Sequence, residues 1–226
     1  MLRAVIFDFD GVITDSEILH FRTLNQILGS HGVEITLKDY YKRYLYLTDF
    51  DFFKLFVDKG LLELGEGGVE TFVEQKKQVF EKLAKTDGRI IEGVRDFLEM
   101  LKQNNVTMGI CSGALLTEIE LILQEARLRS FFDVIVSAEQ VKKGKPNPEG
   151  LLLTLQKLNE KGHSSVLANQ CIVVEDSHWG LEAAKSAGMH TIAVTNSYDV
   201  EQLAMAEKVV ADLGQLSISD LQGLCA

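Results

Sequence analysis

The sequence predicts an α/β fold: a doubly wound parallel sheet with a helical domain inserted after the first strand. Three observations carry this. Short β-rich runs recur that are apolar without clean alternation, as expected of strands covered on both faces. Between several of them lie helical apolar periods, and strand alternating with helix implies parallel pairing. One long region, from about residue 17 to residue 87, holds helical periods and no strand-like run.

The first strand is residues 3–9 (RAVIFDF). The helical region then offers four candidates, 18–28, 37–44, 50–59 and 69–83, with Tyr40, Tyr41, Tyr44, Tyr46, Phe50, Phe52 and Phe53 as its expected core. Its connections to the sheet fall near residues 15–16 and 86–92. The division is therefore an α/β core of residues 1–15 and 88–226 and a helical domain of 16–87. Residues 92–104 carry Val94, Phe97, Leu98 and Leu101 on one helical stripe, followed by a strand at 106–111 (VTMGIC). Residues 113–128 place Leu115, Ile119, Ile122, Leu123 and Ala126 on another stripe, before a strand at 133–137. The strand 171–175 (CIVVE) leads into a helix over 177–187, closed by Gly188 in a C-cap position. Strands at 191–195 and 208–211 complete the sheet.

The 226 residues suffice for one or two domains with a core that needs no staples. Hydrophobic residues at 46% and charged residues at 25% exclude a disordered chain. A net charge of −10 gives no long-range pull toward phosphate backbones or anionic lipid. Neither nucleic acid nor membrane is therefore expected as a partner. The three cysteines form no C-x-x-C pair, so neither a disulfide framework nor a zinc cluster is indicated. Asp8 and Asp10 interrupt the N-terminal apolar stretch, which argues against a signal peptide, and no run approaches the roughly 18 apolar residues of a membrane span. The expectation is a cytoplasmic monomer.

The unusual polar residues cluster where parallel sheets bind ligands, at the carboxyl ends of the strands. The first strand ends Phe7-Asp8-Phe9-Asp10-Gly11, which puts Asp8 and Asp10 on one face. Two carboxylates about 6 Å apart repel by roughly 3 kcal/mol at an effective dielectric near 20. A cation or shared proton would offset that cost; a simple Asp-Gly turn is the plainer alternative. Ser112-Gly113 joins a strand to a helix, suited either to capping or to holding an anion at the helix N-terminus. Lys145 precedes Pro146, and the chain's two prolines, Pro146 and Pro148, both lie just past it, on a stiffened backbone. Lys142 and Lys143 read as solvated loop. Glu175-Asp176-Ser177 is a second acidic pair at a strand end, although Asp176 could simply cap. If neighbouring strands carry both pairs, a hard divalent cation with oxygen ligands, Mg²⁺, reconciles them.

Together Asp8-Phe9-Asp10-Gly11-Val12-Ile13-Thr14-Asp15, Ser112, Lys145-Pro146 and Glu175-Asp176-Ser177 resemble the haloacid dehalogenase-like superfamily, in its β-phosphoglucomutase and phosphoglycolate-phosphatase-like branch. The resemblance implies a Rossmann-like core with a helical cap. Dehalogenases of the superfamily lack the acid at the position of Asp10, so this pattern points to phosphoryl transfer. Asp8 would be the nucleophile and Asp10 the acid and base. Mg²⁺ would be held by Asp8, the Asp10 carbonyl, Asp176 and Glu175, while Gly11, Ser112, Gly113 and Lys145 bind the phosphoryl group. His20 matches a histidine near the acid/base residue in the mutase branch, and Lys76 a cap lysine of relatives, although an exposed helix lysine is the default. His31, His163 and His190 read as surface residues. Mutases of the branch carry Gly, Ser and Arg near residues 46–53, where this chain places Asp49 and Asp51 instead. The expected activity is hydrolysis of a small phosphorylated metabolite of the sugar or polyol type. A sugar phosphomutase is the alternative, and a receiver-like phospho-aspartate signalling module a more distant one.

Overall fold

The computed structural model describes residues 1–45, 47–87, 90–162 and 165–226; Tyr46 and His163 thus lie outside the described residues, as does part of the expected second connection. Along the chain, β1 (Ala4–Phe7) is followed by α1 (Ser16–Ser30), α2 (Leu37–Asp39), α3 (Asp49–Asp58) and α4 (Gly68–Asp87). Then come α5 (Val94–Gln103), β2 (Thr107–Cys111), α6 (Leu116–Glu125), β3 (Val134–Val136), α7 (Glu149–Lys161) and β4 (Cys171–Glu175). The chain finishes with α8 (His178–Ser186), β5 (His190–Val194), β6 (Lys208–Val210) and α9 (Ile218–Leu224). Packing separates two compact units, Met1–Asp15 with Arg89–Ala226, and Ser16–Gly88. No helix among the described residues is long and apolar enough to cross a membrane.

In the first unit six parallel strands form one sheet in the order β3-β2-β1-β4-β5-β6. The strand order reverses between β1 and β4, and this switch point opens a crevice beyond their carboxyl ends. Both faces are covered. Ala4, Ile6, Val134, Val136, Cys171 and Val173 share one core with Leu151 and Leu158 of α7 and Ala183 and Ala184 of α8. On β1, Phe7 is fully buried, with the rings of Phe97 and Phe132 edge-on at 6.0 and 5.9 Å. Burying such a ring contributes roughly 1.5–3 kcal/mol, and each edge contact about 0.5–1.5 kcal/mol more.

Several sequence expectations change in the α/β unit. β1 stops at Phe7, earlier than predicted, because the chain turns: Gly11 donates to the Thr14 carbonyl at 2.7 Å, and Thr14 bridges to Asp10 and Ile90. The helix expected from residue 113 begins only at Leu116. Between β3 and β4 stands a helix the periodicity did not predict, α7. Its buried positions include Gly150 and Thr154, which blunt the apolar stripe.

The second unit is helical. Leu24, Ile27 and Leu28 of α1, Phe52, Phe53 and Phe56 of α3, and Phe72 of α4 form its core. Of the expected aromatic core, Tyr40, Phe52 and Phe53 are buried and Tyr44 packs against them, but Tyr41 and Phe50 are exposed. α2 runs directly into a wider π-helical turn at Tyr40–Tyr44, so its side chains cannot hold a single α-helical face.

Candidate active site

The register of β1 brings Asp8 to the switch point. Phe7 pairs with Ile110 on one side and Val174 on the other, and the next residue, Asp8, donates its N–H to the Val174 carbonyl at 2.9 Å. Asp8 is therefore fixed at the edge of the crevice while its side chain remains buried. Gly11 follows with φ +78°, and a Cβ built there would fall 1.8 Å from Asp176 Oδ2. Only glycine allows the turn after β1 to approach the acidic end of β4 so closely.

Glu175 closes β4 and is fully buried. Its Oε2 accepts from the N–H groups of Asp176 and Ser177, each at 3.2 Å, and from the Ser177 hydroxyl at 2.8 Å. Ser177, and not Asp176, caps α8, accepting from Gly180 N–H at 3.2 Å. A Cβ at Gly180 would lie 1.9 Å from the Glu175 carboxylate, so glycine lets the first turn of the helix rest on that group. Lys145 arrives on the loop between β3 and α7. The Glu149 carboxylate holds that loop by accepting the N–H groups of Lys142 and Lys143 at 2.8 and 3.2 Å. The Lys145 ammonium reaches Asp8 Oδ1 at 2.5 Å and also donates to Glu175 Oε1.

Carboxylate oxygens of Asp8, Glu175 and Asp176 all lie within 4.8 Å of one another. Three buried acids face one ammonium, so negative charge is in surplus. Burial lifts the Asp8 carboxyl well above its ordinary range; Lys145 opposes that lift, and Glu175 and Asp176 reinforce it. Burial likewise pushes Asp176 up to about 7, against a lowering hydrogen bond from Ser197. Burial alone would strip Lys145 of its proton, but Asp8 and Glu175 outweigh that cost and hold it firmly charged. A cluster of oxygen donors that takes up protons for want of positive charge fits a small, hard divalent cation such as Mg²⁺. Asp10 also raises Asp8, less than Glu175 and Asp176 do, and its carboxylate is not among the clustered oxygens.

A pH dependence follows for the metal-free protein. Asp176 titrates near 7 in the fold against 3.8 unfolded, so between those values the folded chain holds the extra proton. The associated stability is complete below about pH 4 and is lost as pH rises through about 7. In chelator the melting temperature should fall from pH 5 to pH 7.5, and saturating Mg²⁺ should flatten that slope. A melting temperature that climbs across this window in chelator would contradict the assignment.

Ser112 lies at the end of β2, buried, with its N–H on the Val136 carbonyl and its Oγ accepting from Ala114 N–H at 3.0 Å. It closes a tight turn and does not cap α6. The N-cap of α6 is Leu115, and the N–H of Leu116 is taken by the Glu139 carboxylate at 2.9 Å. The anion-holding helix end expected there is already occupied by a carboxylate, which leaves the 112–114 turn as the polar element. Nothing lies within 4 Å of a Cβ built on Gly113.

His20 belongs to the helical unit, where its ring stacks on Phe80 at 4.6 Å. Burial, followed by the nearby Lys76, holds it well below the usual histidine range, so it is neutral. Lys76 is not the exposed helix lysine of the default expectation. Its side chain is 3% exposed, 3.0 Å from Asp49 and over the Phe80 ring. Asp51 is likewise engaged, in the capping turn with Thr48 that starts α3. His190 pairs with Glu207 at 3.0 Å, and Lys142 and Lys143 are exposed as expected. Sequence reasoning did not anticipate Asn196 and Ser197, which reach Gly11 and Asp176 from the loop after β5.

The model of the family described as haloacid dehalogenase-like hydrolase matches residues 5–194. A phosphorylated carbohydrates phosphatase of Thermotoga maritima is 35% identical over 84% of this chain and 84% of its own length. Hexitol phosphatase B of Escherichia coli is 28% identical over 98% and 97%. The crystal structure of a β-phosphoglucomutase from Clostridium difficile superposes with a TM-score of 0.77 at 26% identity, covering 100% of this chain and 97% of that one.

Proposed function

The chain belongs to the haloacid dehalogenase-like hydrolases, as a phosphatase of that family, and from that premise we propose a Mg²⁺-dependent phosphomonoesterase acting on a small sugar or polyol phosphate through an aspartyl-phosphate intermediate. The observation that carries the proposal is the meeting of Asp8, Glu175 and Asp176 around Lys145 at the β1/β4 switch point. Asp8, Asp176, the Asp10 carbonyl and Glu175 would hold Mg²⁺, which supplies positive charge beside the nucleophile and the phosphoryl oxygens when bound.

The chain's own residues divide the remaining work. An Asp8 carboxylate oxygen attacks phosphorus, forming the acyl phosphate as the ester P–O bond breaks. Asp10 donates its proton to the departing alkoxide. It then takes a proton from the water that attacks the acyl phosphate, releasing phosphate and restoring Asp8. Lys145 balances charge on the transferring group, and the 112–114 turn with Gly11 binds its oxygens. His20 is proposed, from the resemblance alone, as a further substrate-binding residue. Such an enzyme would work as a cytoplasmic monomer, with no nucleic-acid or membrane partner.

The test is a panel of phosphate monoesters, assayed with Mg²⁺ and with chelator. At least one sugar or polyol monophosphate should be hydrolysed, with turnover lost in chelator and recovered on adding Mg²⁺. No phosphate release from any ester, together with interconversion of hexose 1- and 6-phosphates, would select the phosphomutase instead.

A further inference from the structure

Ser197 and Asn196, on the loop after β5, play no part in the scheme above. We propose that Ser197 is a positioning residue for the metal-binding carboxylate of Asp176, with Asn196 holding the turn after the nucleophile in the same assembly; this rests on the Mg²⁺ reading of the site. The Ser197 hydroxyl donates to Asp176 Oδ2. The neighbouring Asn196 amide donates to the Gly11 carbonyl at 3.2 Å. A Cβ on Gly11 would meet both Asp176 Oδ2, at 1.8 Å, and Ser197 Oγ, at 2.9 Å. The loops that leave β1, β4 and β5 therefore converge on one carboxylate oxygen.

An aspartate carboxyl turns easily about its last torsion, which is broad and roughly two-fold. Here one oxygen is committed to Ser197 and lies against Gly11, and the Asp176 carboxylate still offers a ligand atom to the cluster with Asp8 and Glu175. The hydroxyl thus supplies the outer hydrogen bond that orients a metal ligand and sets its affinity. Its own loop is anchored on both sides. Thr195 donates to the Val210 carbonyl at 3.0 Å, and Tyr198 packs against the buried cluster of Leu181, Ala193 and Leu203.

Calorimetric titration of the metal-free protein with Mg²⁺ tests this without any substrate. Ser197→Ala should weaken Mg²⁺ binding about tenfold, within the range for a lost outer-shell partner. Ser197→Thr, which keeps the hydroxyl, should stay within about threefold of the wild type. At saturating Mg²⁺ the alanine variant should recover most of its turnover, because the ligand itself remains. The emission of Trp179, the only tryptophan of the chain and three residues past Asp176, gives an independent binding signal. Equal Mg²⁺ affinity in wild type and Ser197→Ala would overturn the role of Ser197, as would a threonine variant as weak as the alanine one. A wild-type protein that binds no Mg²⁺ would instead remove the metal reading on which the proposal stands.

Discussion

Asp8→Asn is expected to lower phosphate release by at least about 10⁴-fold, equivalent to roughly 5 kcal/mol of barrier. The substitution is nearly isosteric, so the N–H bond to Val174 and the packing at the end of β1 should survive. What is lost, in the reaction proposed above, is the oxyanion that attacks phosphorus, and an amide oxygen is a poor substitute. The fold should not suffer. Asp8 is one of three acids competing for a single ammonium, and removing its charge relieves part of the surplus. In chelator the variant should therefore melt no lower than wild type, which separates a chemical defect from misfolding. Steady-state phosphate release beside a melting curve makes the comparison, and activity within tenfold of wild type would exclude covalent catalysis on Asp8.

Lys145→Ala should cost about 10³-fold in kcat/KM, in the range of a single charge-stabilising group at a transition state. Unlike the Asp8 change, it should also loosen the protein. The Lys145 side chain is 16% exposed and bridges Asp8 and Glu175, the latter only 1% exposed. Breaking a buried pair from one side costs about 3–5 kcal/mol. The carboxyls can take up protons in response, so about 2–4 kcal/mol is expected for the metal-free protein. Mg²⁺ should then raise the melting temperature more in the variant than in wild type, since the ion replaces part of the missing charge. Lys145→Arg should not restore rate, because a planar guanidinium cannot place a point charge between the two acids. A Lys145→Ala protein as stable and as active as wild type would show that the contacts to Asp8 and Glu175 carry no weight.

What could be read in advance followed from residues that were wrong for their surroundings. Acids at strand ends, Asp8 and Glu175-Asp176, stood out because an apolar run is a costly place for charge, and the topology places them on adjacent strands. Lys145 stood out because prolines follow it. Where a residue suited its position, no signal existed. Ser and Asn are the default residues of a turn, so nothing marked Asn196 and Ser197 apart from other loops. Lys76 sat where a helix lysine is ordinarily solvated, and its partner Asp49 is a distant residue that only the packing of α3 on α4 brings close. The helix over 149–161 escaped because glycine and threonine occupy part of its buried stripe. Ser112 shows the converse: its type was informative, but a hydroxyl before a helix can cap or turn, and only backbone geometry distinguishes the two.

Thr14 pairs antiparallel with Ile90, and Ile91 donates to the carbonyl of Ile13 at 3.0 Å. The points where the chain departs from the sheet and where it returns are thus stitched side by side. Whatever is threaded between them hangs from a closed doorway. Doubling the length of such an excursion adds only about 0.6 kcal/mol of closure entropy. The inserted helical unit can accordingly be lengthened or shortened at little entropic cost, while the register of the sheet that carries Asp8, Glu175 and Asp176 is kept.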